Sequence, residues 1–138
     1  MARHPIHDGL FTEDPSPALV IGKCRACGRL HFPKAPSCPF CGARDIGEML
    51  ASSGTLWGWT AVTARPAGYE GSVPYGFGIV ALDDVDLRVV TMLEESDPAA
   101  LAFGARMRLV VRDLYTDESG DTITTFSFAS NAAHGAAA

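Results

Sequence analysis

The four cysteines of the chain occur as Cys24-Arg-Ala-Cys27-Gly28 and Cys38-Pro-Phe-Cys41-Gly42, with ten residues between the two pairs. A C-x-x-C turn sets both sulfurs on one side of a tight loop. The glycine that follows permits the positive φ by which backbone N–H groups approach sulfur. Two such knuckles facing each other supply a closed tetrahedron of thiolates. That is the chemistry of a structural zinc site, because a catalytic zinc keeps a position open for water or substrate. Disulfides are another use of four cysteines, but duplicated C-x-x-C spacing in an intracellular chain favours metal. Redox work of the thioredoxin type needs one C-x-x-C on a βαβ unit, and the sequence has no such unit. Spacing alone does not separate zinc from iron. His31 is a further donor near the cluster, but beside four thiolates it reads as a loop histidine.

Other groups invite weaker chemistry. Arg106, Arg108 and Arg112 fall on one face of an alternating segment, with Val110 between them. Such a row can hold phosphates or a partner's carboxylates, or can be a solvated strand face. Trp57, Trp59, Tyr69 and Tyr75 are candidates for a stacking platform under a base, or for core packing. Leu10, Phe11 and Phe32 suit an apolar docking surface, or a cover over the chain's own core. Nucleophile and base are not legible: His4, His7, His31 and His134 lie in arms, loops or tail, and no G-x-S-x-G occurs. Glycines 68, 71, 76 and 78 do not form a phosphate loop, since they lead into a strand rather than a helix. No catalytic residue is assigned.

The elements that position these groups are mostly strands. Residues 1–17, with Pro5, Pro15 and Pro17, read as an irregular arm. Residues 18–50 hold the cysteines as a minimal ribbon, with Met49 to Gly54 as the hinge to the next module. Thr55 to Thr63 alternates, placing Leu56, Thr60 and Val62 on one face and Trp57, Trp59 and Ala61 on the other. A breaker-rich loop, 64–74, follows. Tyr75 to Leu82 and Leu87 to Leu93 form a hairpin, Ala99 to Phe103 a short helix capped by Ser96-Asp97-Pro98 and ended by Gly104. Arg106 to Tyr115 and Thr122 to Ala129 are two more strands, turned at Gly120. Five strands with a helix between the third and fourth is the order of an OB-fold barrel, here spanning 51–130, with a frayed tail at 131–138. The expected fold is mostly β.

Length and charge bound the rest. With 138 residues, 47% of them hydrophobic and 20% charged, the chain can bury a core but not two large domains. A net charge of -5 argues against a broad basic face for nucleic acid. No apolar run approaches the roughly 20 residues of a membrane span, and the N-terminus has no apolar signal core, so the expected location is the cytoplasm.

Several runs together, Asp8-Gly9-Leu10-Phe11, the two C-x-x-C-G knuckles, Ser53-Gly54 before Trp59-Thr60-Ala61-Val62, Pro74-Tyr75, Leu82-Asp83 and Phe126-Ser127-Phe128, resemble the DUF35 family over nearly the whole chain. The resemblance implies a rubredoxin-like zinc ribbon joined to an OB-fold. It also implies an accessory subunit of thiolase-superfamily enzymes acting on coenzyme A thioesters, with the partner supplying the chemistry. By that analogy an acyl or pantetheine arm runs past the ribbon and the loop ending at Tyr69, Pro74 and Tyr75. The arm departs from the pattern, with Pro15 and Pro17 where many members carry a helix. From a different class, ribbon-plus-OB proteins that bind single-stranded nucleic acid remain the alternative.

Overall fold

The computed structural model describes residues 2–13, 16–83 and 85–130, so the predicted tail at 131–138, with His134, and Pro15 lie outside the described residues. Among the described residues ten strands follow in order: β1 (Arg3–Pro5), β2 (Phe11–Thr12), β3 (Ala18–Cys24), β4 (Leu30–His31), β5 (Ile46–Ala51), β6 (Ser53–Val62), β7 (Tyr75–Leu82), β8 (Arg88–Leu93), β9 (Arg106–Thr116) and β10 (Thr122–Ser130). They make two sheets. In the first, β6 pairs antiparallel with β7 and with β9, β7 with β8, and β9 with β10. A short parallel pairing of β10 with β8, Ser127 to Met92 and Phe128 to Leu93, closes these five strands into a barrel. This is the OB-fold order that the sequence predicts.

Period-two alternation drives the closure. Along β7, Gly76, Gly78, Val80 and Leu82 are buried, while Tyr75, Phe77, Ile79 and Ala81 face outward. Leu56, Val80, Leu82, Val89, Leu93, Met107, Leu109 and Phe128 fill the interior. Apolar burial of this kind stabilises by roughly 25 cal/mol per Å².

The second sheet centres on β3, which pairs with β5 from Leu19 opposite Ala51 to Cys24 opposite Ile46. Its other edge takes β2 and β4. Leu19 and Ile21 of β3 are fully buried in the same cluster as the barrel residues, so ribbon and barrel share one core.

Four local expectations change. Met49 to Gly54 is not a hinge: β5 runs through Ala51 and β6 starts at Ser53, because Ala51 and Gly54 are buried against the barrel. The alternation of β6 breaks at Trp57, where the register with β7 jumps from Leu56–Val80 to Gly58–Ile79. One extra residue in a bulge moves every later side chain to the other face, so Leu56 and Trp59 both pack on the core while Trp57 is exposed. The helix expected at 99–103 shrinks to one 3-10 turn, Pro98–Ala100, in which the Asp97 carboxylate accepts from the Ala99 N–H at 3.0 Å. That turn buries no residue, and a five-residue segment without packing does not meet the cost of helix nucleation. The arm is ordered by β1, which adds parallel to β10 from Arg3 opposite Thr122 to Pro5 opposite Thr124.

Candidate metal centre

The two cysteine knuckles are built alike. At the end of β3 the Cys24 N–H donates to the Arg29 carbonyl (3.0 Å) and the Gly28 N–H to the Cys24 carbonyl (2.8 Å). In the second, the Cys38 N–H donates to the Ala43 carbonyl (2.8 Å) and the Gly42 N–H to the Cys38 carbonyl (2.9 Å). Gly28 (φ 79°) and Gly42 (φ 81°) supply the left-handed conformation that closes each turn. A backbone N–H then points at sulfur in each: Cys27 donates to Cys24 Sγ (3.4 Å), and Phe40 to Cys38 Sγ (3.3 Å).

The four Sγ atoms lie within 4.8 Å of one another. Across the knuckles Cys24 and Cys41 are 3.6 Å apart, and Cys27 and Cys38 3.7 Å. Thiolates held about 2.3 Å from a central ion would form a tetrahedron with edges of about 3.8 Å. The arrangement therefore fits a tetrahedral ion with no open position. Cys24 and Cys38 are buried; Cys27 and Cys41 reach the surface.

The thiols alone cannot all ionise. Burial opposes ionisation of Cys38, yet the N–H groups of Cys41 and Phe40 and the neighbouring thiols bring it down to about 6. The Ala43 N–H favours the Cys41 thiolate, but the surrounding thiols, Cys24 first, and burial push it up to about 11. Cys24 is lowered, chiefly by the Cys27 N–H. A divalent cation at the centre would remove this conflict by compensating all four charges at once.

His31 is not a loop histidine but the second residue of β4, buried with its ring against Gly22, and its Nε2 accepts from the Ala35 N–H at 3.1 Å. The β4 pairing fixes the spacer that brings the second knuckle back to the first.

The other predicted residues fall in three separate places. Tyr69 and Tyr75 stack with ring centroids 5.0 Å apart and planes at 43°, and Pro74 lies exposed beside them. The loop that carries Tyr69 is tied by Arg65, whose Nη1 donates to the Gly71 and Tyr69 carbonyls, and by the Tyr69 hydroxyl on the Ser72 carbonyl (3.0 Å). Burial raises the Tyr69 hydroxyl above its ordinary value.

Phe11 and Phe32 converge on Phe126 of β10, at 6.3 Å and 5.6 Å between centroids, so both rings pack against this chain's own core. Arg106, Arg108 and Arg112 do share one face of β9, alternating with buried Met107 and Leu109. Arg106 forks onto Asp83, and Arg112 donates to Glu94 at 3.1 Å. Sequence reasoning missed both carboxylate partners, because they lie in turns whose approach to β9 depends on barrel closure. It also missed Arg88 over the Trp57 ring at 4.6 Å, which the bulge at Trp57 creates.

Among the described residues no helix is long and apolar enough to cross a membrane.

Comparison with known proteins covers most of the chain. Residues 12–47 match the model of the ChsH2 rubredoxin-like zinc ribbon domain, and residues 48–112 that of the ChsH2 C-terminal OB-fold domain. A DUF35 domain-containing scaffold protein of Pyrococcus furiosus is 34% identical over 112 residues, 80% of this chain and 81% of that protein. The benzoylsuccinyl-CoA thiolase subunit BbsA of Thauera aromatica is 27% identical over 114 residues, 82% of this chain and 76% of that one. Among solved structures, a chain of the Ltp2-ChsH2(DUF35) aldolase superposes with a TM-score of 0.63 at 27% identity, covering 83% of this chain and 85% of that chain.

Proposed function

The chain belongs to the DUF35 family of ChsH2-type proteins, which join a rubredoxin-like zinc ribbon to an OB-fold, and on that premise we propose that it is a non-catalytic accessory subunit of a thiolase-like enzyme. The observation that carries the reading is the match of both domains, in order, across residues 12–112. The relatives named a thiolase subunit and an aldolase fit it. In this reading Cys24, Cys27, Cys38 and Cys41 hold one structural zinc ion, and the closed thiolate set does no chemistry on substrate.

The partner is a thiolase, retro-aldolase or acyltransferase, and this subunit helps bind or position its acyl-CoA in the cytoplasm. The Tyr69–Tyr75 pair and Pro74 are the proposed neighbours of the acyl-CoA arm. Phe11, Phe32, Arg106, Arg108 and Arg112 are the proposed partner or anion contacts, the two rings packed on Phe126 and the arginines along one face of β9. The proposed functional units are the arm at 1–17, the ribbon at 18–50 and the barrel at 51–130.

Oligonucleotide binding is less well supported. OB-folds hold single strands on the face of their second and third strands. Here that face, on β7 and β8, presents Phe77 and Val90 to solvent, and its one cation, Arg88, lies on Trp57. The flanking loops carry Glu70, Asp117 and Glu118, which repel phosphate.

The test is co-expression with a thiolase-like protein of the same organism, followed by size-exclusion chromatography and metal analysis. Co-elution with about one zinc per copy of this chain supports the reading. Separate elution, with no effect of this chain on turnover by that enzyme, refutes it.

A further inference from the structure

Among the described residues, β8 is one of the barrel strands that leave part of an edge without a partner. β8 pairs with β7 along its whole length, from Arg88 opposite Ala81 to Leu93 opposite Gly76. On its other side the parallel ladder with β10 holds only Met92 and Leu93. β10 cannot extend it, because Thr122 to Thr124 on the same edge are taken by β1.

In an antiparallel pair, alternate residues turn their N–H and C=O toward the partner strand and the residues between turn theirs away. The Leu82 N–H donates to the Leu87 carbonyl (3.0 Å) at the closed end of the β7–β8 hairpin. That phase puts Arg88 and Val90 in the outward-turned set. Among the described residues no backbone group pairs with theirs on that side.

Exposed edges are usually blunted by charge, proline or shortness. β1 is three residues long and ends in Pro5, and β5 carries Glu48 in an ion pair with Lys34. β8 has no such device: Val90 is β-branched and 57% exposed, and the Arg88 guanidinium is drawn away onto Trp57. Beside the open edge lies a trough of about 400 Å³ floored by Leu10, Phe32, Pro33 and Phe126. A free edge over an apolar trough is complementary to an extended chain, whose backbone completes the ladder while alternate side chains enter the trough.

We propose that the Arg88–Val90 edge of β8 accepts an extended segment of the thiolase-like partner as an added strand, with one apolar side chain of that segment in the trough. The inference rests on the accessory-subunit reading. A second copy of this chain is a poorer occupant, since each copy carries a net charge of -5 and like charge opposes self-association.

The experiment is amide hydrogen exchange, read residue by residue by NMR, on this chain alone at two concentrations and in complex with the co-expressed partner. The Arg88 and Val90 amides are expected to exchange quickly in the free chain and at least 100-fold more slowly in the complex. Val90→Pro deletes the outward N–H without removing a β7 ladder bond, and is expected to weaken the complex at least tenfold. Leu50→Lys, which removes an exposed apolar side chain from β5, is expected to leave it unchanged.

A complex in which both amides remain unprotected overturns the edge assignment and leaves the accessory reading standing. Protection that grows with concentration in the free chain also overturns it, in favour of pairing between copies. Failure to form any complex removes the accessory reading and this inference together.

Discussion

Phe32 of the ribbon meets Phe126 of the barrel edge-on, with ring centroids 5.6 Å apart and planes at 85°. Phe11 approaches the same ring from the arm. One barrel side chain thus joins three stretches of chain that are remote in sequence, close to where β1 and β8 share the edge of β10. Together with Leu19 and Ile21 in the barrel core, this makes ribbon and barrel one cooperative unit.

Phe126→Ala is therefore expected to destabilise the whole chain by about 3 kcal/mol, as large-to-small changes under packed aromatic rings do. Urea denaturation followed by tryptophan fluorescence and by far-UV circular dichroism should give one coincident transition, shifted to lower urea. A ribbon that unfolds in a separate step, or a change below about 1 kcal/mol, contradicts the shared core.

Metal removal should act in the same way, through folding. Binding energy at a closed thiolate site is folding energy, and Cys24 ends the strand that carries Leu19 and Ile21 into the core. Cys24→Ser is expected to lose the bound metal and lower Tm by more than 10 °C, and a strong chelator should do the same to the wild type. Metal analysis and thermal melts check this. A fully folded Cys24→Ser protein that keeps its metal would show that the knuckles do not form the site.

The knuckles and the five barrel strands were legible because both rest on local rules: C-x-x-C-G geometry and period-two alternation. The bounds of the strand Tyr75 to Leu82 were right because β7 is regular from end to end. The face of Trp59 was not, because a bulge is an insertion defined by the partner strand and leaves no mark in the alternation itself. The arm was read as irregular for a similar reason. β1 is three residues whose ladder exists only once β10 offers its edge, 117 or more positions away. His31 shows the reverse failing: a polar residue near cysteines suggested a loop, while its ring fills the space left by the missing side chain of Gly22.

Two glycines of β6 should respond to alanine with opposite signs. A Cβ on Gly54 would meet the Ala81 carbonyl oxygen, and Val80 Cγ1 at 2.7 Å, across the β6–β7 pairing. Gly54→Ala is expected to cost about 1–3 kcal/mol, since the obstacle is backbone. At Gly58, in the bulge, nothing lies within 4 Å of the added atom and φ is not positive. Gly58→Ala is expected to be neutral or to stabilise by about 0.5 kcal/mol, through the unfolded chain. Equal effects at the two sites in chemical denaturation would contradict the placement of the bulge.

Asp83 gives the stability a defined acid dependence. Its carboxylate, at the β7–β8 turn, takes the Arg106 fork from β9 and the Ser53 hydroxyl (2.7 Å) from β6, so it locks three strands at one end of the barrel. The Arg106 hydrogen bonds first, and that of Ser53 second, hold its carboxyl down at about 2 against an ordinary 3.8. A folded-state value below the unfolded one means that the unfolded chain binds the proton more readily as pH falls. The contribution is thus complete above about pH 4 and disappears as pH drops through about 2. Asp83→Asn should lower Tm at pH 7, with the gap to wild type narrowing between pH 4 and pH 2. Because the Arg106 side chain is 50% exposed, 0.5 M salt should shrink the gap at pH 7 as well. Thermal melts of both proteins at pH 7, 4, 3 and 2 decide the matter: a gap that stays constant across that range would mean the carboxylate's charge contributes nothing, leaving only the neutral hydrogen bonds to hold the three strands.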